Sequence, residues 1–160
     1  MKKIFLVFLL VAGFSTNAAA QFFVVGTGGV GYLNDAFRMA VKPMAGYEFD
    51  DRWAVGTTLG FSLVAHNGSE VFGVADPFVR FTCWNNSKLF VDLVAHSEML
   101  FQSELYTANV GISPALRYSI SSHWQLTGQA GIVGAQYDGA DWYPAFGFTA
   151  STEVGVIYRF

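Results

Sequence analysis

Apolar and polar residues alternate along most of this chain, and the alternation is longest near its end. From Phe146 to Phe160 the sequence reads FGFTASTEVGVIYRF. Phe146, Phe148, Ala150, Thr152, Val154, Val156, Tyr158 and Phe160 fall on one parity; Gly147, Thr149, Ser151, Glu153, Gly155, Ile157 and Arg159 fall on the other. Successive strand side chains point to opposite faces, so a sustained period of two predicts a long strand with one apolar face. Segment 106–120 does the same: Tyr106, Ala108, Val110, Ile112, Pro114, Leu116, Tyr118 and Ile120 oppose Thr107, Asn109, Gly111, Ser113, Ala115, Arg117 and Ser119. In 38–49, Arg38, Lys42, Gly46 and Glu48 oppose Met39, Val41, Pro43, Tyr47 and Phe49. Extended along the chain, the pattern predicts eight strands, at 22–33, 38–49, 53–65, 72–83, 88–98, 105–119, 124–136 and 146–160. The connections at 50–52, 84–87 and 120–123 are short and polar. Those at 34–37, 66–71, 99–104 and 137–145 are longer. Tight turns alternating with looser loops is the layout of a transmembrane barrel, with the turns on the periplasmic side.

Composition sharpens this reading. Hydrophobic residues make up 52% of the chain and charged ones 13%, which is apolar for a soluble protein. Yet beyond residue 20 the longest unbroken apolar run is Phe22 to Val25, far too short for a membrane-spanning helix. High hydrophobicity without a run means alternation, and only helices and closed barrels satisfy every backbone group in lipid. The first twenty residues stand apart. Lys2 and Lys3, the apolar stretch Ile4 to Phe14 and Ala18-Ala19-Ala20 read as a secretory signal peptide over 1–20, cleaved before Gln21. The barrel is then expected over 21–160. Removing Lys2 and Lys3 from nine basic residues leaves seven against twelve acidic ones, a net charge near −5. No basic patch points to nucleic acid. The single cysteine, Cys83, allows no internal disulfide and is too far from the cleavage site to carry a lipid.

The parity assigns the charges to one side. Arg38, Lys42, Arg80, Arg117 and Arg159 share a face with Glu48, Asp76, Asp92, Glu98 and Glu153. Eight strands leave room only for a filled interior or one small ligand. The opposite face is too large and too aromatic to fit there, so the apolar face is expected outward on lipid and the charges inward. Buried charges need partners. Five of each sign in a narrow lumen read as a plug rather than an ion path, with Arg117, Glu153, Arg38, Arg80, Asp76 and Asp92 expected in one network. Phe78 and Phe90 fall on the same inner parity. The aromatics form two belts. Tyr47, Phe49, Trp53, Phe81, Trp84, Tyr118, Trp124, Tyr158 and Phe160 cluster at the tight turns, and Tyr32, Phe61, Phe101, Tyr106, Tyr137, Trp142 and Tyr143 at the loops. Rings of this kind favour the headgroup level. Tyr47, Trp53, Trp84, Tyr118 and Trp124 are the expected girdle.

The chain also repeats by hairpin. Lys42-Pro43-Met44-Ala45-Gly46-Tyr47, Asp76-Pro77-Phe78-Val79-Arg80-Phe81 and Ser113-Pro114-Ala115-Leu116-Arg117-Tyr118 each place an aromatic four residues after a proline. A polar turn follows, with a tryptophan at or after it: Trp53, Trp84, Trp124. Proline is excluded from central strands unless its position is unpaired or bulged, so a shared irregularity is expected. These hairpins and the terminal Tyr158-Arg159-Phe160 resemble the small eight-stranded outer-membrane β-barrel family, the OmpA/OmpX-like "outer membrane protein β-barrel domain" group. The resemblance covers the whole of 21–160. It implies an all-β, eight-stranded antiparallel up-and-down barrel in the outer membrane of a Gram-negative cell, monomeric and in contact with outer-membrane lipids. It also implies insertion by the outer-membrane assembly machinery, which reads the last strand at Tyr158 and Phe160. With no periplasmic domain expected after the barrel, it carries no expectation of peptidoglycan binding.

Motifs that bear chemistry are few. Gly26-Thr27-Gly28-Gly29-Val30-Gly31 fits the dinucleotide fingerprint but lacks the helix that must follow, so the glycines read as close packing at the barrel seam. His66-Asn67-Gly68-Ser69-Glu70 and His96-Ser97-Glu98 each contain a histidine, a serine and an acid. Nucleophilic catalysis needs the serine within reach of the histidine, but neighbours on a strand point to opposite faces, and Asn67-Gly68 is a turn signal. His123 falls in a turn. The histidines sit on non-adjacent strands without further ligands, so no metal, cofactor or catalytic residue is expected. The loops lean acidic through Asp35, Glu70, Glu104, Asp138 and Asp141. The reading is a barrel with a structural or surface-interaction role. Two alternatives remain: an outer-membrane lipid-modifying enzyme of the lipid A deacylase or acyltransferase type, and a soluble periplasmic lipid-binding barrel.

Overall fold

The structure is a computed structural model that describes residues 21–33, 36–65, 68–102, 105–137 and 139–160. The expected signal peptide at 1–20, the His66-Asn67 pair and the loop acids Asp35, Glu104 and Asp138 lie outside these residues, as do the side chains of Tyr32 and Tyr106. The eight strands are β1 (Gln21–Leu33), β2 (Ala36–Glu48), β3 (Trp53–Ala65), β4 (Ser69–Asn85), β5 (Leu89–Phe101), β6 (Leu105–Ser119), β7 (Trp124–Tyr137) and β8 (Trp142–Arg159). Each is antiparallel to its chain neighbour, and β8 returns to pair with β1, so the sheet closes into a barrel. The fold is therefore all-β and up-and-down. Strands β4, β5 and β8 run longer than the sequence pattern indicates, because their loop-side ends keep pairing beyond the last clear alternation.

Irregularities in the ladder set which side chains face in. Between Thr82 and Trp84 the β4–β5 register shifts. That bulge turns Trp84, which shares parity with Asp76 and Arg80, out of the interior, and its ring is half exposed. Trp84 thus belongs to a strand rather than to the turn. A second shift lies between Ala130 and Ile132 of β7. Gly131 sits there with φ 72°, a conformation costly for any residue with a Cβ. Opposite it, β8 skips from Thr152 to Gly147, so 146–160 is not one unbroken ladder despite its regular alternation.

The three prolines interrupt the sheet in the same way. Pro43, Pro77 and Pro114 pair with the preceding strand, opposite Gly26, Thr57 and Leu93. On the side of the following strand, pairing lapses from Val41 to Met44, from Ala75 to Phe78 and from Ile112 to Ala115. Proline has no N–H to donate, so β2, β4 and β6 each give up the ladder to the following strand at this position. The prolines point outward and are exposed, whereas the residues before them, Lys42, Asp76 and Ser113, are buried.

Candidate functional site in the barrel interior

All ten charged residues read from the parity face the interior. They do not form the single network expected from the sequence. They divide into layers, because an apolar layer intervenes: Phe23, Val25, Ala54, Phe78, Val94, Ala115 and Ile157 are buried together, with Met44 against them. Along β4, β5, β6 and β8 this layer lies two residues further from the turns than Arg80, Asp92, Arg117 and Arg159. The inner face is therefore mixed rather than polar throughout. Inward glycines make space for the rings. A Cβ on Gly46 would lie 2.3 Å from the Phe23 ring, and one on Gly56 would lie 2.5 Å from both the Phe78 ring and the Ala45 carbonyl.

The layer nearest the turns centres on Glu48. Its Oε1 accepts hydrogen bonds from Arg80, from Arg117 Nη1 at 3.4 Å and from Arg159 Nη2 at 2.7 Å. Arg117 also grips Asp92, with Nε to Oδ2 at 2.5 Å and Nη2 to Oδ1 at 3.2 Å. Its remaining donors reach Thr82 Oγ1 at 3.0 Å and Gln125 Oε1 at 3.1 Å. The guanidinium of Arg117 stands 4.7 Å above the Phe90 ring and that of Arg80 5.0 Å above Phe23. Planar forks with several donors suit a buried site of this kind. Among the described residues, the Nε groups of Arg80 and Arg159 find no hydrogen-bond partner.

Toward the loops, Arg38 forms a two-pronged pair with Glu98 at 2.9 and 3.2 Å and donates to Ser62 Oγ at 2.7 Å. Lys42 joins Glu98, at 3.0 Å, to Glu153. Two cations meet two anions here, with Lys42 only 2% exposed. Above this layer Phe72, Val74 and Leu100 form a small apolar cluster with Val64.

Asp76 belongs to neither charge layer. Its Oδ1 lies 3.2 Å from His96 Nδ1, and His96 Nε2 lies 2.8 Å from Ser113 Oγ. Gln129 Nε2 stands 3.5 Å from the same ring nitrogen. The serine beside His96 in sequence, Ser97, is on the opposite parity, and Glu98 is held by Arg38 and Lys42. The His-Ser-acid constellation therefore comes from three strands rather than from the contiguous motif. Sequence reasoning missed Ser62, Thr82, Ser113 and Gln125. The signal was present: Thr82 shares the parity of Asp76 and Arg80, and Ser113 that of Arg117.

The remaining motifs take ordinary places. Residues 26–31 run within β1, paired with β2 throughout and with β8 as far as Val30, and no helix follows them among the described residues. His123 is exposed in a turn, bonded to Ser122 and stacked near Tyr158. Among the described residues no group of three or more His, Cys, Asp or Glu side chains is placed to hold a metal ion. Trp53, Trp84, Tyr118 and Trp124 are about half exposed at the turn end. Tyr47 differs at 8% exposure, because the Phe22 and Phe49 rings cover it at 4.9 and 5.3 Å. Tyr158 packs between Trp124, at 4.9 Å, and Phe160, at 5.1 Å. A small space of about 40 Å³ lies among the layers, bordered by Phe78, Val94, Ala115 and Gln129. No protein-family model matches the chain, and no curated protein matches it in sequence.

Proposed function

We propose that this chain is an integral outer-membrane barrel with a closed, charge-paired interior and a structural or surface-contact role. The observation that carries the reading is the inverted distribution of side chains. Asp92, Arg117 and Lys42 are at most 2% exposed, whereas Phe61, Val41 and Val154 are each more than 60% exposed. Water rewards the opposite arrangement; a hydrocarbon surround rewards this one. The strands exceed the nine to eleven residues or so that a tilted crossing needs. Exposed tryptophans at the turn end suit a membrane interface.

A soluble lipid carrier needs an internal cavity of several hundred Å³. The space of about 40 Å³ among the layers is too small for an acyl chain, which favours the membrane reading. The paired charge layers favour a closed lumen over a channel. Two measurements test the proposal. The protein should fractionate with outer membranes and show heat-modifiable gel mobility, and it should give no steady conductance of porin size in planar bilayers. Recovery in the soluble periplasmic fraction refutes the location, and a stable large conductance refutes the plug.

A further inference from the structure

We propose that Asp76, His96 and Ser113 form a nucleophile relay that cleaves fatty-acyl esters reaching it through the barrel wall. The inference rests on the membrane reading above, since the acyl chain has to arrive through hydrocarbon. Its first support is the order of contacts. The acid meets one imidazole nitrogen at 3.2 Å and the serine hydroxyl meets the other at 2.8 Å, which places the histidine between an orienting acid and a nucleophile. Three adjacent strands supply the parts. Phe78 pairs with His96 and His96 with Gly111, so Asp76, His96 and Ser113 step diagonally across one inner face.

The second support is the wall itself. His96 and Ser113 ride on the β5–β6 hairpin, whose own ladder is continuous past both residues. Each of its two outer seams is interrupted near the relay, β4 against β5 at Asp76 and Pro77 and β6 against β7 at Ser113 and Pro114. In the closed barrel Ser113 has no exposed surface, so attack requires one seam to part. At each proline two residues already lack ladder partners, which locally weakens the seam. Outside this panel lies an open apolar groove of about 450 Å³, walled by Pro77, Val79, Ala95, Val110 and Ile112 and passing over the strand at His96. It suits an acyl chain. Inside, the space of about 40 Å³ next to the relay exceeds the roughly 10–15 Å³ that one water needs.

The chemistry balances with these parts alone. Ser113 Oγ attacks the ester carbonyl carbon while its proton passes to His96 Nε2. The bond to the alcohol breaks and His96 returns the proton to the leaving oxygen. A water then attacks the acyl-serine and gives its proton to His96. Ser113 recovers a proton as the fatty acid departs. Asp76 is a positioning residue that holds the ring.

The test uses the full chain folded in detergent micelles and, separately, in phospholipid vesicles, with long-chain and methyl alkyl fluorophosphonates as probes. A reactive serine displaces fluoride and gains a stable mass. We expect the label on Ser113 alone, at least tenfold faster for the long chain, and none on Ser113→Ala. His96→Gln, which keeps a hydrogen-bonding side chain, should slow labelling by about a hundredfold or more. Asp76→Asn should slow it, and Asp76→Glu should restore part of the rate, which a merely structural role does not predict. Heat-modifiable mobility confirms each variant as folded. A folded barrel that takes no label, or that labels equally fast as His96→Gln, overturns the relay. Vesicle flotation reads the membrane setting separately: protein that floats without labelling sinks the relay alone, and protein that labels in micelles without floating upholds the relay and sinks the setting.

Discussion

Glu48 is the point at which the turn-side layer is most exposed to a single change. Its carboxylate serves Arg80, Arg117 and Arg159, yet replacing it with alanine does not strand three cations equally. Arg117 keeps Asp92, Thr82 and Gln125. The Arg159 side chain is 18% exposed and can draw water from the open vestibule at the turn end, which it lines. Arg80 is 6% exposed, and its Nε already lacks a protein partner. The cost therefore falls mainly on one guanidinium left without its carboxylate. Breaking a buried pair from one side costs about 3–5 kcal/mol, and the whole figure is expected at Arg80 rather than a multiple of it. Glu48→Ala should lose that much in urea unfolding followed by tryptophan fluorescence in micelles. The double variant Glu48→Ala with Arg80→Met removes the stranded charge and should recover most of the loss, since an apolar replacement of a buried pair is often neutral. If the single variant stays within about 0.5 kcal/mol of the parent, as an ordinary surface substitution does, the layer contributes no stability and the account of the plug is wrong.

Other sites give independent checks. Gly56→Val places a Cβ against the Ala45 carbonyl and the Phe78 ring and should cost about 1–3 kcal/mol by overpacking; Gly26→Ala, with nothing within 4 Å, should cost far less in the same titration. Val41, midway along β2, is exposed on the outer face while its neighbour Lys42 turns inward, so Val41→Arg should lower stability in vesicles by roughly 2–4 kcal/mol, and equal stability in vesicles and detergent would remove the lipid contact. Inserting one residue after Gly155 throws Ile157 and Arg159 onto the wrong faces and should abolish heat-modifiable mobility. Deleting Phe160, whose N–H donates to Phe22 at 3.1 Å, should reduce outer-membrane yield more mildly, and normal yield from both variants would show that this end does not seal the barrel.

The eight strands were legible because a period of two survives any choice of partner. So were the directions of the charged side chains, for the in-and-out alternation runs unbroken through Arg38, Lys42, Asp76 and Arg117 even where pairing lapses. What parity cannot carry is anything past a bulge. Extending β4's parity past Thr82 would turn Trp84 inward, yet the shift there turns it out, into the girdle expected from its place beside a tight turn. The layering was hidden for a different reason. Phe23, Val25 and Ile157 are apolar residues on the inner parity, and alternation says which face a side chain takes but not at what height. Height depends on how far each strand is staggered against the next, which only the closed barrel fixes. The Asp76–His96–Ser113 contact is of that kind, since its members come from three strands and no spacing along the chain announces it.

The seam between β1 and β8 also bears on how fast this molecule forms. It runs only from Phe23 to Val30, whereas β1 meets β2 along its whole length from Gln21 to Leu33. Every other ladder joins strands that are consecutive in the chain and can zip from a short turn. The seam must bring Phe23 to Arg159, and the greater loop length adds roughly 3 kcal/mol of closure entropy over a hairpin. Seven ladders are thus local and quick, and one is remote and slow. Substitutions that weaken the seam should therefore lower the folding rate when closure is rate-limiting, whereas those that weaken contacts formed only after closure should mainly hasten unfolding.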